Sequence, residues 1–120
     1  MDKKTLEILV SQQAAKIWAK FRVIYPELKN FECPEIRLND RFTSTAGLTW
    51  PNENVIQLGT KFFAKYEKTM LMVILPHEIA HQVDCNLNGF PKNNRWHGKQ
   101  WKKIMVAYGL PADTYHDMRL

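Results

Sequence analysis

Residues 77 to 81 read His-Glu-Ile-Ala-His, so two histidines stand four positions apart. On an α-helix, residues at this spacing lie one turn apart on the same face, and both imidazoles can reach one metal ion. Glu78 adjoins the first histidine, where a carboxylate can take the proton of a water molecule held by that metal. The pattern predicts zinc-assisted hydrolysis, with a peptide bond as the favoured substrate.

A structural interpretation of the same histidines has to be weighed, because histidines also pack in protein cores. Two neighbouring features favour the metal site. The motif ends an apolar run at 70–75, which is typical of a buried helix that presents ligands to a cleft, and a third histidine, His97, opens the string His-Gly-Lys-Gln-Trp.

The third metal ligand can be sought by elimination. No glutamate follows Glu78, and the position six residues after the second histidine is Leu87, which excludes two common zinc-site patterns. The remaining downstream candidates are Asp84, His97, Asp113, His116 and Asp117. Asp84 lies on the motif helix and is better placed as a hydrogen-bond partner of a ligand. Since His97 follows a loop rich in Gly, Pro and Asn that can turn the chain back, the predicted ligands are His77, His81 and His97.

Three neutral imidazoles leave the fourth position of a tetrahedral site open, as in catalytic rather than structural zinc sites. Zinc lowers the pKa of a water there to about 7, so Glu78 is the predicted acid/base that accepts its proton and then protonates the leaving amine. A further group should stabilise the developing oxyanion. The candidates, among which the sequence does not choose, are Tyr66, Arg95, Tyr108, Tyr115 and His116.

The length of 120 residues predicts a single domain spanning 1–120. The hydrophobic (45%) and charged (24%) fractions are those of a soluble globular chain. No apolar stretch approaches the roughly 20 residues of a membrane span, and the N-terminus does not resemble a signal peptide, so we expect a cytoplasmic monomer. Cys33 and Cys85 stand outside any Cys-x-x-Cys pair and are predicted to be free, buried thiols, with Cys85 a weaker metal candidate than His97.

The pattern of apolar residues predicts an α+β fold. Steps of three and four predict helices and alternation predicts strands. The predicted helices are 4–25, 62–68, 69–86 and 97–108, and the predicted strands are 35–39, 45–50 and 55–58, the last two antiparallel. Pro76 predicts a kink or a helix start just ahead of His77. The final helix is expected to bury Trp101, Ile104, Met105 and Tyr108.

Basic residues cluster near the end of the chain, whose net charge is +5. No acidic residue stands between Cys85 and Leu110, whereas this stretch contains Lys92, Arg95, Lys99, Lys102 and Lys103. Such a cluster can bind phosphate backbones or can be a solvated helix face, and charge alone does not decide between them.

Two strings carry a family resemblance: Leu-Pro-His-Glu-Ile-Ala-His at 75–81 and His-Gly-Lys-Gln-Trp-Lys at 97–102. Together they resemble the SprT-like zinc metallopeptidases, the group that includes the Spartan proteases. The proline before the first histidine and the His-Gly-x-x-Trp string are each more specific than the five-residue motif. Residues 46–48 and 55–58 are similar to the family's hairpin before the motif helix, so the resemblance covers roughly residues 5–116.

The resemblance implies a minimal zincin-like fold, with His77, His81 and His97 as zinc ligands and Glu78 as the catalytic residue. It also implies protein substrates on DNA, including covalent DNA–protein crosslinks, with proteolysis stimulated by DNA. Many members carry a four-cysteine zinc ribbon that contributes to DNA binding, but no cysteine follows Cys85 here.

Binding of DNA is therefore expected to depend on the basic final helix and on aromatics such as Trp50 and Trp96, which could stack on unpaired bases. Core packing is the alternative for both tryptophans, and we favour it for at least one. Two other functions stay open: a zinc peptidase with no role on DNA, and a zinc-stabilised DNA-binding or adaptor module with weak or no hydrolytic activity. Glu78 argues against the module, since a structural site needs no carboxylate beside its ligand.

Overall fold

The computed structural model describes residues 1–92, 95–112 and 118–120. Its helices are α1 (Lys3–Ile24), α2 (Thr60–Thr69), α3 (Leu75–Asn88) and α4 (Lys99–Tyr108), and its strands are β1 (Glu35–Asn39), β2 (Gly47–Trp50) and β3 (Val55–Gly59). A 3-10 turn (Pro26–Asn30) follows α1, and a π-helical turn (Met70–Ile74) joins α2 to α3. The predicted α+β class is confirmed.

The three strands form one sheet in which β3 lies between the other two. β1 is parallel to β3, with Glu35 opposite Val55, and β2 is antiparallel to β3, with Trp50 opposite Val55. The predicted antiparallel pairing of the last two strands is thus confirmed. Because β2 pairs with β3 alone among the described strands, its other side is an edge that can accept a further strand.

Helix α1 supplies much of the hydrophobic core. The Asp2 side chain caps it by accepting a hydrogen bond from the Thr5 N–H, and Pro26 follows its last turn. Its buried residues follow the steps of three and four that predicted a helix over 4–25, and they are Leu6, Val10, Ala14, Ile17, Trp18 and Phe21. They pack with the sheet and with α3, and so hold the motif helix against β2. No helix in the described ranges is long and apolar enough to cross a membrane.

The motif helix begins later than predicted, at Leu75 instead of residue 69. The Leu75 N–H donates to the Met70 carbonyl five residues back, which makes the turn before α3 wider than an α-helical turn. Pro76 then falls in the first turn of α3, where a missing N–H is tolerated. The prediction of a kink or helix start just before His77 is confirmed.

The last helix begins at Lys99, so His97 lies in the turn before α4 and not on the helix as predicted. The reason is Gly98, which is extended at the N-cap position (ψ −171°) and accepts the first helical hydrogen bond, from the Lys102 N–H. The predicted orientation of α4 is confirmed for its buried residues, which are Trp101, Ile104 and Met105, with Tyr108 partly buried. Its three lysines are exposed.

Candidate metal centre and active-site cleft

Three histidines meet at the floor of a cleft. His77 and His81 come from one face of α3, and His97 comes from the turn before α4. Their Nε2 atoms form a triangle with sides of 3.2 Å (His77–His97), 3.3 Å (His77–His81) and 3.2 Å (His81–His97). In the described part of the chain, this is the one group of three or more potential ligands close enough to hold a metal ion.

The triangle cannot be satisfied by hydrogen bonds among its own members. Each Nε2 is either a donor, when protonated, or an acceptor, when not. Three atoms with two possible roles must include a pair of the same kind, and that pair repels at 3.2–3.3 Å. A cation bound to three unprotonated Nε2 atoms removes the conflict, and tetrahedral bonds of about 2.05 Å would separate them by about 3.3 Å. The residues therefore fit a metal ion.

The surroundings keep the His81 imidazole neutral, which is the form that binds metal. Burial, followed by the charges of the neighbouring His77 and His97, lowers the pKa of His81 to about 3. Trp101 is fully buried against the cluster. Its ring stacks on His81 with centroids 5.2 Å apart, and its Nε1–H donates to the main-chain carbonyl of His77. The indole thus holds both histidine positions of α3 from one side.

Glu78 is buried beside the three histidines. Its Oε2 lies 3.8 Å from the Nε2 of His77. Its Oε1 accepts a hydrogen bond of 2.8 Å from the Thr49 hydroxyl of β2. Burial raises the pKa of the Glu78 carboxyl to about 7, against the opposing effect of the Thr49 hydrogen bond. A carboxyl with this pKa can both accept and return a proton near neutral pH.

The cleft above the histidines has a volume of about 720 Å³. The four residues of β2 form one wall, and Phe90 and Trp96 contribute to its lining as an aromatic pair, with ring centroids 6.0 Å apart. Trp96 also meets the His81 ring edge to face. The expectation that Trp50 or Trp96 packs in the core is wrong, because Trp50 is 45% exposed and Trp96 is partly exposed at the cleft. Both rings instead border the space above the metal site.

The candidates for an oxyanion donor do not line the cleft where the structure describes them. The Tyr66 hydroxyl exchanges hydrogen bonds with the main chain of Arg119, and Tyr108 packs on Phe21. Arg95 is exposed outside the lining. The other two, Tyr115 and His116, lie outside the described residues, as do the alternative ligands Asp113 and Asp117.

Two further residues considered near the motif, Asp84 and Cys85, lie outside the histidine cluster. Asp84 accepts a hydrogen bond from the Asn88 side chain, one turn later in α3. It does not bond to His81, whose Nδ1 lacks a hydrogen-bond partner among the described residues. Cys85 is a free, half-buried thiol outside the histidine cluster. Burial, followed by the charge of Asp84, raises its pKa to about 11, which keeps it protonated and unsuited to bind metal.

Comparison with known proteins decides the family. The model of the SprT-like family matches residues 14–116. The chain belongs to the SprT-like family. The resemblance seen in the two sequence strings is thereby confirmed, and this SprT-like chain has the predicted minimal zincin-like fold with its three histidines together.

Its relatives share about 30% identity. Protein SprT of Vibrio parahaemolyticus is 32% identical over 89 residues, which are 73% of this chain and 52% of that protein. Protein SprT of Vibrio atlanticus is 29% identical over 93 residues, 77% of this chain and 54% of the relative. Protein SprT of Escherichia fergusonii is 28% identical over 100% of this chain and 72% of its own. The SprT-like chain thus spans about half the length of the first two relatives. No solved structure matches it.

Proposed function

We propose that this SprT-like chain is a zinc-dependent metalloprotease in which His77, His81 and His97 hold the zinc ion and Glu78 is the catalytic acid/base. The observation that carries the proposal is the triangle of Nε2 atoms with sides of 3.2–3.3 Å beside a buried carboxyl group. Three imidazoles with an open fourth position are typical of catalytic zinc.

The chain's own residues account for the proton transfers. Bound zinc would supply the Lewis acid that acidifies a water molecule and polarises the substrate carbonyl. Glu78 Oε2, on the side of the histidines, accepts the proton of the attacking water. The same oxygen then delivers that proton to the leaving amine nitrogen.

The shape of the cleft supports a polypeptide substrate. An extended peptide can pair with the edge of β2 that no other described strand occupies, and all four residues of β2 line the cleft. Phe90 and Trp96 also line the cleft and provide an apolar surface for substrate side chains. A folded protein keeps its backbone paired and its large apolar side chains inside. We therefore infer that the substrates are unfolded or locally exposed protein segments.

Removal of the metal tests the proposal. Treatment with 1,10-phenanthroline is expected to abolish cleavage of casein, measured as acid-soluble peptides, and one equivalent of zinc should restore it. Inhibitors of serine and cysteine proteases serve as controls and should have no effect. Cleavage that survives complete removal of the metal would contradict the proposal, as would a zinc-loaded protein that leaves casein intact.

A role on DNA-associated proteins is proposed from the charge of α4. Lys99, Lys102 and Lys103 are exposed on this helix, while its opposite side buries Trp101. Lys92 and Arg95, in the segment that leads to His97, are exposed as well. The exposed basic residues therefore stand on both sides of His97 in the sequence, with Arg95 two residues before it and Lys99 two residues after it. A phosphate backbone bound there would bring proteins attached to it close to the cleft.

Replacement of the three α4 lysines by glutamine tests this role. We expect weaker binding of single-stranded DNA and a reduction of about 2 in the slope of log affinity against log salt, since each lost phosphate contact removes about 0.7. Fluorescence anisotropy of a labelled oligonucleotide between 50 and 200 mM salt measures both. The matched control replaces three exposed lysines on α1 and α2, Lys4, Lys16 and Lys61, and removes the same charge. Equal losses in both variants would exclude a specific site on α4.

A further inference from the structure

Strand β2, which forms one wall of the cleft, presents two residues to Glu78. Side chains alternate along the strand, so Leu48 and Trp50 are exposed while Gly47 and Thr49 face α3. Both of these inward positions contact the same side chain, that of Glu78. The sequence pattern singled out neither of them as a site residue.

The Thr49 hydroxyl lies between two oxygens of Glu78. Its Oγ1 is 2.8 Å from the carboxyl Oε1 and 2.9 Å from the main-chain carbonyl oxygen. A hydroxyl has one proton and two lone pairs. When Glu78 is ionised, Thr49 can donate to Oε1. When Glu78 carries the transferred proton on Oε2, Oε1 is a carbonyl oxygen and still accepts from Thr49. The contact therefore survives both halves of a proton transfer.

This contact makes the two carboxyl oxygens inequivalent. Oε1 is held on the side of β2, while Oε2 faces the histidines, 3.8 Å from the Nε2 of His77. Without the hydroxyl, the carboxyl group could rotate, and either oxygen could turn away from the metal site. Small misplacements of a reacting group cost much of its effect on rate.

Gly47 provides the space in which the Glu78 side chain lies. A Cβ at position 47 would lie 2.9 Å from Glu78 Cγ and 3.1 Å from Ile74 Cγ2. Any other residue would push the carboxyl group or β2 aside. Strand β2 thus determines both the position of the Glu78 methylene groups and the orientation of its carboxyl group.

We propose that Thr49 is a positioning residue, which anchors Oε1 of Glu78 so that Oε2 points to the three histidines, in the space that Gly47 leaves open. The Thr49 hydroxyl acts on the reaction through Glu78. The inference rests on the proposed function for its effect on rate, and on the hydrogen bond itself for its effect on the metal-free protein.

Kinetics of Thr49→Val and Thr49→Ser form the first test. The valine variant keeps the shape and loses the hydroxyl, so we expect kcat for a quenched fluorescent peptide to fall about 10- to 100-fold. KM and zinc content should stay within about twofold of the original protein, since the variant keeps the backbone of β2 and changes only the side chain that bonds to Glu78. The serine variant should recover kcat to within about threefold. Thr45→Val, the same change at an exposed position just before β2, is the matched control. A valine variant with unchanged kcat would overturn the proposal.

A double-variant cycle in the metal-free protein forms the second test and needs no activity. Thr49→Val should lower the melting temperature by about 3–6 °C when Glu78 is present, because a buried carboxyl oxygen loses its partner. In the Glu78→Ala background the drop should be less than half as large. Equal drops in the two backgrounds would overturn the anchoring contact. Where valine prevents folding, Thr49→Ala takes its place in both tests.

The two tests separate failure of this inference from failure of the proposed function. A protein that cuts nothing but shows the coupling lacks the proposed activity and retains the anchored carboxyl group. A protein that cuts casein equally well with Thr49→Val is a protease whose base is not positioned by Thr49.

Discussion

Glu78→Gln is expected to retain one zinc ion per chain and to lose hydrolysis by a factor of about 10² to 10⁴. Glutamine fills the same space, and its carbonyl oxygen can still accept from Thr49 at the Oε1 position. Its amide nitrogen takes the place of Oε2 and cannot accept a proton. Metal content by atomic emission and kcat on casein-derived peptides measure the two effects.

Glu53→Gln is the matched control for this variant. Glu53 is another carboxylate that lines the cleft, but it is exposed in the turn after β2. Its replacement removes the same charge and should leave kcat nearly unchanged. If Glu78→Gln cleaves as fast as the original protein, Glu78 is not the acid/base. If neither form cleaves and both bind zinc and DNA, the chain is the binding module considered from the sequence.

His97→Ala is expected to abolish stoichiometric zinc binding. The remaining pair, His77 and His81, leaves two of four tetrahedral positions without a protein ligand. We expect the affinity for zinc to fall by more than about 100-fold. Loss of a residue that only hydrogen-bonds to a metal ligand costs at most about 100-fold, and loss of a ligand itself should cost more. Hydrolysis should be lost as a consequence.

The rise in melting temperature on addition of zinc gives a readout of this loss that is independent of activity. At a free zinc concentration about 100 times Kd, binding stabilises the folded state by about 2.7 kcal/mol. His97→Ala should remove most of that gain at the same zinc concentration. His116→Ala is the matched control, since it removes the remaining histidine, which lies outside the described residues. Loss of zinc in His116→Ala and not in His97→Ala would reassign the third ligand.

The histidine cluster could be predicted because its geometry is largely local. The four-residue spacing of His77 and His81 fixes their common face once a helix forms. His97 followed by elimination, since the chain has four histidines and no glutamate after Glu78. The offset of His97 from α4 by two residues was not predicted, because it depends on Gly98 adopting an extended conformation at the helix start.

Thr49 could not be found in the same way. It lies 29 residues before Glu78, and their contact exists because β2 packs across α3. No motif marks a threonine in a short strand. The strand order could not be predicted either. Alternation of apolar and polar residues locates the three strands, but it does not indicate that β3 lies between the other two. The two tryptophans were misjudged for a related reason: an aromatic ring that borders a cleft and one that fills a core have the same sequence signal.

The wide turn at Met70–Ile74 bears on how such sites are recognised in other chains. Each residue of an α-helix rotates the next by about 100°, so the number of residues in this turn sets the angular phase of α3 relative to α2. A chain that lacked one residue there would contain an intact His-Glu-x-x-His string, yet that string would face about 100° away from the cleft. The length of the segment before the motif is therefore as diagnostic of a working site as the motif itself.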